Sequence, residues 1–121
     1  MVIRLKDTVI DAIEDTETRR LKLIRMSSKS EGAIVTLELP EALCESMNQG
    51  DSVSIVIDSK EIVKGTDSKL YLEGSVFKKS DKEGLEVTGS IGGLKLIVSL
   101  AKATSSQASS FDSDKFYFVI K

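Results

Sequence analysis

The sequence predicts an all-β protein: a closed or nearly closed antiparallel barrel of seven to eight strands with one short helix. Apolar and polar residues alternate through most of the chain, and a period of two is typical of strands with one buried and one solvated face. Turn signals recur at short spacing between these runs. Closure into a barrel would leave no long apolar strand with an unpaired edge.

The first third of the chain predicts three strands. The first covers residues 2 to about 13, with an interruption or bulge near residues 7–8. The second covers residues 20–26, with Leu21 and Leu23 on one face, and it is followed by a polar turn. The third covers residues 33–39, where four apolar residues alternate with Ile34, Thr36 and Glu38.

A short helix is expected to follow the third strand. Pro40 suits the first turn of a helix, where its missing N–H leaves no hydrogen bond unmade. Leu43 and Met47 lie four residues apart and would share a helix face, and Gly50 is well placed to end the helix. A fourth strand then begins at Asp51, with Val53, Ile55 and Ile57 facing inward.

The second half of the chain predicts four further strands between polar loops. After a loop over residues 59–68, a strand covers residues 70–77, and Gly74 in its middle predicts a bulge or sharp bend. A charged loop leads to a hairpin of two alternating runs joined at Gly92 and Gly93. A Ser/Ala-rich loop over residues 101–113 precedes a final strand over residues 116–120.

The composition argues against a catalytic site, and none is predicted. The chain has no histidine, which excludes imidazole as a general base or metal ligand. Cys44 is the only cysteine, so thiolate zinc clusters and internal disulfides are excluded. With carboxylates nearby, Cys44 is expected to be a small core residue. The chain contains no phosphate-binding, nucleophile-elbow or calcium-loop motif, so we predict no catalytic residue, cofactor or metal.

The length of the chain predicts a single domain over residues 1–121. No segment has the apolar length of a membrane span, and the N-terminus lacks the pattern of a signal peptide, so we expect a cytoplasmic protein. The net charge of −2 disfavours independent, tight binding to nucleic acid. A local basic patch is still available at four residues. These are Arg19, Arg20, Lys22 and Arg25.

An ordered set of motifs carries a family resemblance over residues 11–121. The most specific is Ser-Ile-Gly-Gly-Leu at residues 90–94. The others are residues 20–26, 35–39, 51–57, 71–77 and 116–121. In this order they resemble the small OB-fold subunit of archaeal and eukaryotic DNA-directed RNA polymerases, which is the eighth subunit of the eukaryotic enzymes and its archaeal counterpart. The short loop after Asp58, and Ile91 where eukaryotic members often have an aromatic residue, resemble an archaeal member.

The resemblance implies an OB-fold-like barrel that is a non-catalytic subunit of the polymerase. It implies docking on the largest subunit within a hetero-oligomeric complex, with nucleic acid reached only through that complex. The candidate partner interface combines the glycine turn with two exposed aromatic residues of one strand face. Its residues are Ile91, Gly92, Gly93, Leu94, Tyr71 and Phe77.

Less specific interpretations stay open beside this one. The Gly92–Gly93 pair is also what a good hairpin turn requires, and strand aromatics usually fill a barrel. A free-standing OB-fold module that binds single-stranded nucleic acid is the main alternative function, with Tyr71 and Phe77 as stacking residues near lysines. A metal-dependent enzyme that uses carboxylates alone would need three clustered Asp or Glu residues.

Overall fold

The chain forms a barrel in a computed structural model that describes residues 2–60, 70–80, 84–101 and 114–121. Most of the loops expected over residues 59–68 and 101–113 therefore lie outside the described residues. The strands are β1 (Val2–Asp15), β2 (Leu21–Ser28), β3 (Ala33–Pro40), β4 (Ser52–Asp58), β5 (Leu70–Ser80), β6 (Leu85–Ile91), β7 (Leu94–Leu100) and β8 (Lys115–Ile120).

The eight strands close into one barrel in the order β1-β2-β3-β7-β6-β5-β8-β4, with β4 pairing back to β1. Every pair is antiparallel. The predicted all-β, OB-fold-like barrel is confirmed. Closure pairs the strand edges within the sheet, which removes the sites where open sheets aggregate.

β1 is the longest strand, with 14 residues, and it pairs with both of its neighbours in the barrel. Its first half pairs with β4 and its second half with β2. The register against β4 shifts between Leu5 and Thr8, which confirms the bulge expected near residues 7–8. Thr8 is fully buried, and its hydroxyl donates to the carbonyl of Leu5 at 2.9 Å. The bulge therefore buries a hydroxyl without leaving it unpaired.

The barrel interior is filled by the alternating apolar residues of all eight strands. The predicted inward faces of β3 and β4 are confirmed, since Val35, Leu37 and Ile55 are fully buried. In β2 the core side chains are Ile24 and Met26. Leu21 and Leu23 do share a face, as expected, but it is the half-buried outer one.

The helix is shorter and tighter than expected. It is a 3₁₀ helix over Glu41–Cys44, preceded by Pro40. Met47 follows the helix and donates its backbone N–H to the carbonyl of Cys44 at 3.0 Å. Cys44 and Met47 are buried in the core and Leu43 is 43% exposed. The expected Leu43–Met47 face is therefore wrong, while the burial of Cys44 is confirmed.

β5 has its bulge at Phe77 and not at Gly74, where a bulge or bend was expected. Gly74 keeps regular pairing, opposite Phe116 of β8. The register against β6 instead shifts between Val76 and Lys78, so Phe77 is the additional residue of a bulge. Gly74 is required for a different reason, because a Cβ there would lie 2.6 Å from Cζ of Phe116. The glycine marks a close approach rather than a bulge.

No helix among the described residues has the length and apolar character needed to cross a membrane.

Candidate functional site

Phe77 is the most conspicuous side chain on the barrel surface, because it is 81% exposed. It lies on the outer side of β5 at the bulge, where both Phe77 and Lys78 stand opposite Thr88. A bulge re-aims the side chain of its extra residue and is frequent at binding sites. Phe118 of β8, in contrast, is completely buried in the barrel. Phe77 therefore contributes little to the core and is available to a partner.

The Gly92–Gly93 turn lies beside Phe77 and has the geometry expected of a tight hairpin. Ile91 and Leu94 pair directly, which leaves two residues in the loop. Their φ angles are +57° and +88°, both in the region that glycine adopts without steric cost. A Cβ at either position would meet no atom within 4 Å. The backbone angles, and not crowding within the chain, are what require glycine here.

The six predicted interface residues do not form one patch. Phe77, Gly93 and Leu94 line a common groove of about 200 Å³ on the barrel surface. Ile91 is only 6% exposed and belongs to the core, so it is not the surface anchor that the prediction made it. Tyr71 lies six residues before Phe77, roughly 20 Å along the strand at 3.3 Å per residue.

Tyr71 instead contacts Tyr117 of β8. Their ring centroids are 6.4 Å apart and the rings meet edge to face at 70°. Edge-to-face aromatic pairs stabilise a sheet surface by about 0.5–1.5 kcal/mol beyond area burial. Because Tyr71 is half-buried in this pair, its environment favours a role in the barrel wall.

A row of uncharged side chains crosses β3, β7 and β6 and reaches the β5 bulge, where Thr88 pairs with Lys78 and Phe77 is the additional residue. The register places Thr36 of β3 opposite Ile97 of β7, and Ile97 opposite Thr88 of β6. Ile34, two residues before Thr36, is 57% exposed on the same side. We call this surface the Phe77 face. Its members are Ile34, Thr36, Ile97, Thr88 and Phe77.

Charged residues lie around the Phe77 face and not at its centre. Lys95 and Glu86 flank the row on opposite sides, two residues from Ile97 and Thr88 respectively, and Lys78 adjoins Phe77. Glu38 lies beside Lys95, and its carboxylate accepts the backbone N–H of Lys95 at 2.8 Å. Protein interfaces show this arrangement, with an apolar, aromatic centre depleted in charge and a polar rim.

The outer side of β1 is mostly charged. Its exposed charged side chains are Arg4, Lys6, Asp7, Asp11, Glu14 and Asp15. Arg25 of β2, which pairs with Thr36 of β3, lies at the border between this charged side and the Phe77 face. Arg25 pairs with Glu14 at 2.9 Å, which is typical of a solvated surface. The Phe77 face therefore differs from the outer side of β1 in having uncharged side chains at its centre.

Phe77 and Leu94 were predicted from the sequence, whereas Ile34, Thr36, Ile97 and Thr88 were not. Their outward positions could be read from the alternation of each strand. What the sequence lacked was the order of the strands, since β3 and β7 are far apart in the chain but adjacent in the barrel. The signal available from sequence alone was an isoleucine at an outward position in each of these two strands.

A second groove, of about 430 Å³, lies over β1 and β2. It is lined by Asp7, Val9, Asp11, Lys29 and two serines. The hydroxyl of Ser30 donates to the Asp7 carboxylate at 3.4 Å. Within the described part of the chain, no three acidic or thiol side chains are grouped so that they could hold a metal. The groove therefore lacks the carboxylate trio that a metal-dependent enzyme would need.

Cys44 is the one nucleophilic side chain of interest, and its environment suppresses reactivity. Burial raises the pKa of the Cys44 thiol, with a smaller opposing effect from Lys22 and a raising effect from Glu41. Its sulfur lies 3.5 Å from the carbonyl of Pro40. A protonated, buried thiol is a core residue rather than a nucleophile.

The predicted basic patch is divided by local ion pairs. Lys22 bonds to Asp15, which raises the pKa of Lys22, and Arg25 pairs with Glu14. Arg19 and Arg20 are exposed, in the turn between β1 and β2. Two arginines in one turn are a small positive feature compared with the continuous basic stripe of nucleic-acid-binding proteins.

Comparison with known proteins gives no relative from which a function could be transferred: no family model matches the chain, and no curated protein is significantly similar to it.

Proposed function

We propose that the chain is a non-catalytic structural subunit of a multisubunit DNA-directed RNA polymerase, of the archaeal kind, which docks on the largest subunit in the cytoplasm. The observation that carries the proposal is the 81% exposure of Phe77 beside the Gly92–Gly93 turn. This turn is the motif with the most specific resemblance to the polymerase subunit. An exposed aromatic residue at that motif has no role in the barrel core and fits a docking role.

The fold supports the proposal in two respects. The closed barrel is the architecture that the resemblance implies, and the Ser-Ile-Gly-Gly-Leu motif forms its β6–β7 hairpin. The surface also divides into a charged side and the Phe77 face, as expected of a domain with one buried side in an assembly. A stable interface would cover about 800 Å² of this subunit.

The alternative function is binding of single-stranded nucleic acid by the isolated barrel. Such proteins combine successive aromatic platforms with a positively charged groove. Here Tyr71 packs edge to face on Tyr117, and Phe77 is the one aromatic residue among those described that is mostly exposed. Lys115, near Tyr117 on the same strand, pairs with Glu73 at 3.6 Å. These contacts favour the docking role over stacking on bases.

Affinity purification from the source organism tests the proposal. The full chain carries a C-terminal tag and is expressed at its native level, and proteins retained after a wash at moderate salt are identified by mass spectrometry. The expected result is recovery of the two largest polymerase subunits in amounts similar to the tagged chain. Recovery of the tagged chain without polymerase subunits would reject the proposal.

A titration of the purified chain with fluorescent oligonucleotides tests the alternative in parallel. A free nucleic-acid binder gives binding that weakens steeply as salt increases. The docking proposal predicts no saturable binding even at low salt, because the chain has net charge −2 and its basic residues are partly paired.

A further inference from the structure

We infer that the Phe77 face binds a protein segment that offers an apolar pocket to the Phe77 ring and a carboxylate to the lysines beside it. This inference rests on the proposed function, in which the chain is a docking subunit, and it adds the chemistry of the partner and the orientation in which it binds.

The groove beside Phe77 favours a partner with an apolar pocket. The ring stands at the edge of a groove whose lining includes Leu94, Gly93 and Thr88. Leu94 is partly buried against the core, and the lining of the groove is largely apolar. A phenyl ring buries about 150–250 Å² when it is covered, which makes Phe77 the largest apolar anchor available on this face. Anchors of this type dominate the binding energy of interfaces.

The row behind Phe77 extends the contact across the sheet. Thr88, Ile97 and Thr36 follow one another in register, and Ile34 adds an exposed apolar side chain beyond them. These side chains are β-branched and uncharged, so they extend the apolar contact away from the Phe77 ring. The four strands of the Phe77 face make up half of the closed eight-stranded barrel, so a partner that covers the whole row follows the curvature of the barrel.

The charged residues around the Phe77 face determine which charge a complementary partner carries, and where. Lys95 lines the groove, and Lys78 follows Phe77. Neither lysine has a carboxylate partner for its ammonium group among the described residues. The Glu38 carboxylate accepts the backbone N–H of Lys95 and not the ammonium group. Glu86 lies on the opposite side of the row. Lys78 pairs with Thr88, and Glu86 lies two residues farther from the hairpin on β6. A partner with a carboxylate beside Phe77, and none at the Glu86 end, is therefore complementary.

A nucleic-acid strand fits these features less well than a protein segment. Its phosphates would contact Lys78 and Lys95, but a strand that crosses the face would also pass Glu86, which repels phosphate. The row of threonine and isoleucine also provides no second ring on which a base could stack.

Site-specific photo-crosslinking tests the inference. Phe77→p-benzoylphenylalanine in the full chain is illuminated in cells of the source organism, and the linked species is identified and mapped by mass spectrometry. Leu43→p-benzoylphenylalanine is the matched control, because Leu43 is an exposed apolar residue outside this face, 43% exposed on the 3₁₀ helix. The expected result is one protein linked at position 77, at a segment rich in apolar residues with an adjacent Asp or Glu, and much weaker linkage at position 43.

A charge-reversal pair supplies the second measurement. The variant Lys78→Glu with Lys95→Glu is compared with Arg4→Glu with Lys6→Glu, which reverses the same charge on the opposite side. Binding to the purified cross-linked partner is expected to fall by about tenfold or more for the first variant and less than about twofold for the second. Equal binding by the two variants would overturn the inference.

The failures of the inference and of the proposed function are distinguishable. Linkage at position 77 to a protein outside the polymerase, at a segment of the expected chemistry, supports the inference and rejects the proposed function. Copurification of polymerase without linkage at position 77 supports the function and overturns the inference. Linkage to nucleic acid or to a second copy of the chain also overturns it.

Discussion

The ring of Phe116 occupies the space that a side chain at Gly74 would need, since a methyl group at Gly74 would lie 2.6 Å from Cζ of Phe116. The two residues are cross-strand partners in β5 and β8. Gly89 of β6 approaches the same ring, and a methyl group there would lie 2.7 Å from Cε1. Two glycines on adjacent strands therefore make room for one fully buried aromatic residue.

We predict that Gly74→Ala lowers the free energy of unfolding by about 1–3 kcal/mol, because the new methyl group overpacks the core. Ser75→Ala, at the neighbouring exposed position, is the control and is expected to stay within about 0.5 kcal/mol of the native chain. Chemical denaturation monitored by circular dichroism gives both values. Adding Phe116→Leu to the first variant should recover part of the loss. Full native stability in Gly74→Ala would show that the ring is not held against the glycine.

The two glycines of the β6–β7 turn are expected to differ in their tolerance to substitution. Gly92 has φ of +57°, an angle that asparagine adopts readily, and Asn-Gly is a preferred sequence for this turn. Gly92→Asn should therefore change stability by only a few tenths of a kcal/mol. Gly93→Ala should cost about 1–2 kcal/mol, because its φ of +88° is unfavourable for a residue with a Cβ. Thermal unfolding of the two variants side by side tests this order, and the reverse order would contradict the turn geometry.

Phe77 and Phe118 provide a comparison of a surface and a core aromatic residue. Phe77→Ala is predicted to leave the unfolding free energy within about 0.5 kcal/mol of the native value, since the ring is 81% exposed. Phe118→Ala should cost about 3–5 kcal/mol, since Phe118 is completely buried. Differential scanning calorimetry measures both. A large destabilisation by Phe77→Ala would mean that the ring supports the fold, and the basis for a docking role would be lost.

The raised pKa of Cys44 predicts a pH dependence of stability with a definite sign. Burial keeps the thiol protonated in the folded chain, so the unfolded thiol ionises first as pH increases. The contribution of Cys44 is complete below about pH 8.5 and is lost above it, up to the folded pKa. The raised pKa of Lys22 acts in the same direction at higher pH.

Urea denaturation between about pH 8 and pH 9.5 measures this contribution, with Cys44→Ala as the control. The native chain should lose stability faster than the variant as pH increases through this range. Parallel curves for the two proteins would show that the thiol does not titrate differently on folding.

Local patterns were sufficient to predict the strands, because burial imposes a period of two on each of them. The inward faces of β3 and β4 illustrate this, since Leu37 and Ile55 are fully buried as expected. The helix was predicted with α spacing, whereas the chain forms one 3₁₀ turn and buries Cys44 in place of Leu43. A helix of four residues is too short for a periodic signal that separates the two helix types.

The candidate site depended on information that no local pattern contains. The position of the β5 bulge is a property of the pairing between Val76 and Gly89 and between Lys78 and Thr88, so the sequence suggested Gly74 instead. Ile91 continued the inward alternation of β6, yet its place beside the turn motif made it a candidate surface anchor. The Phe77 face itself exists only because β3, β7, β6 and β5 are neighbours in the closed barrel.

Reconstitution with the purified largest subunit of the polymerase from the same organism tests whether the chain docks through Phe77. The full chain and the subunit are mixed at micromolar concentration and separated by size-exclusion chromatography with light scattering. We predict a one-to-one complex that forms with the native chain and is lost with Phe77→Ala, while Leu43→Ala still binds. Separate elution of the native chain and the largest subunit would contradict the claim.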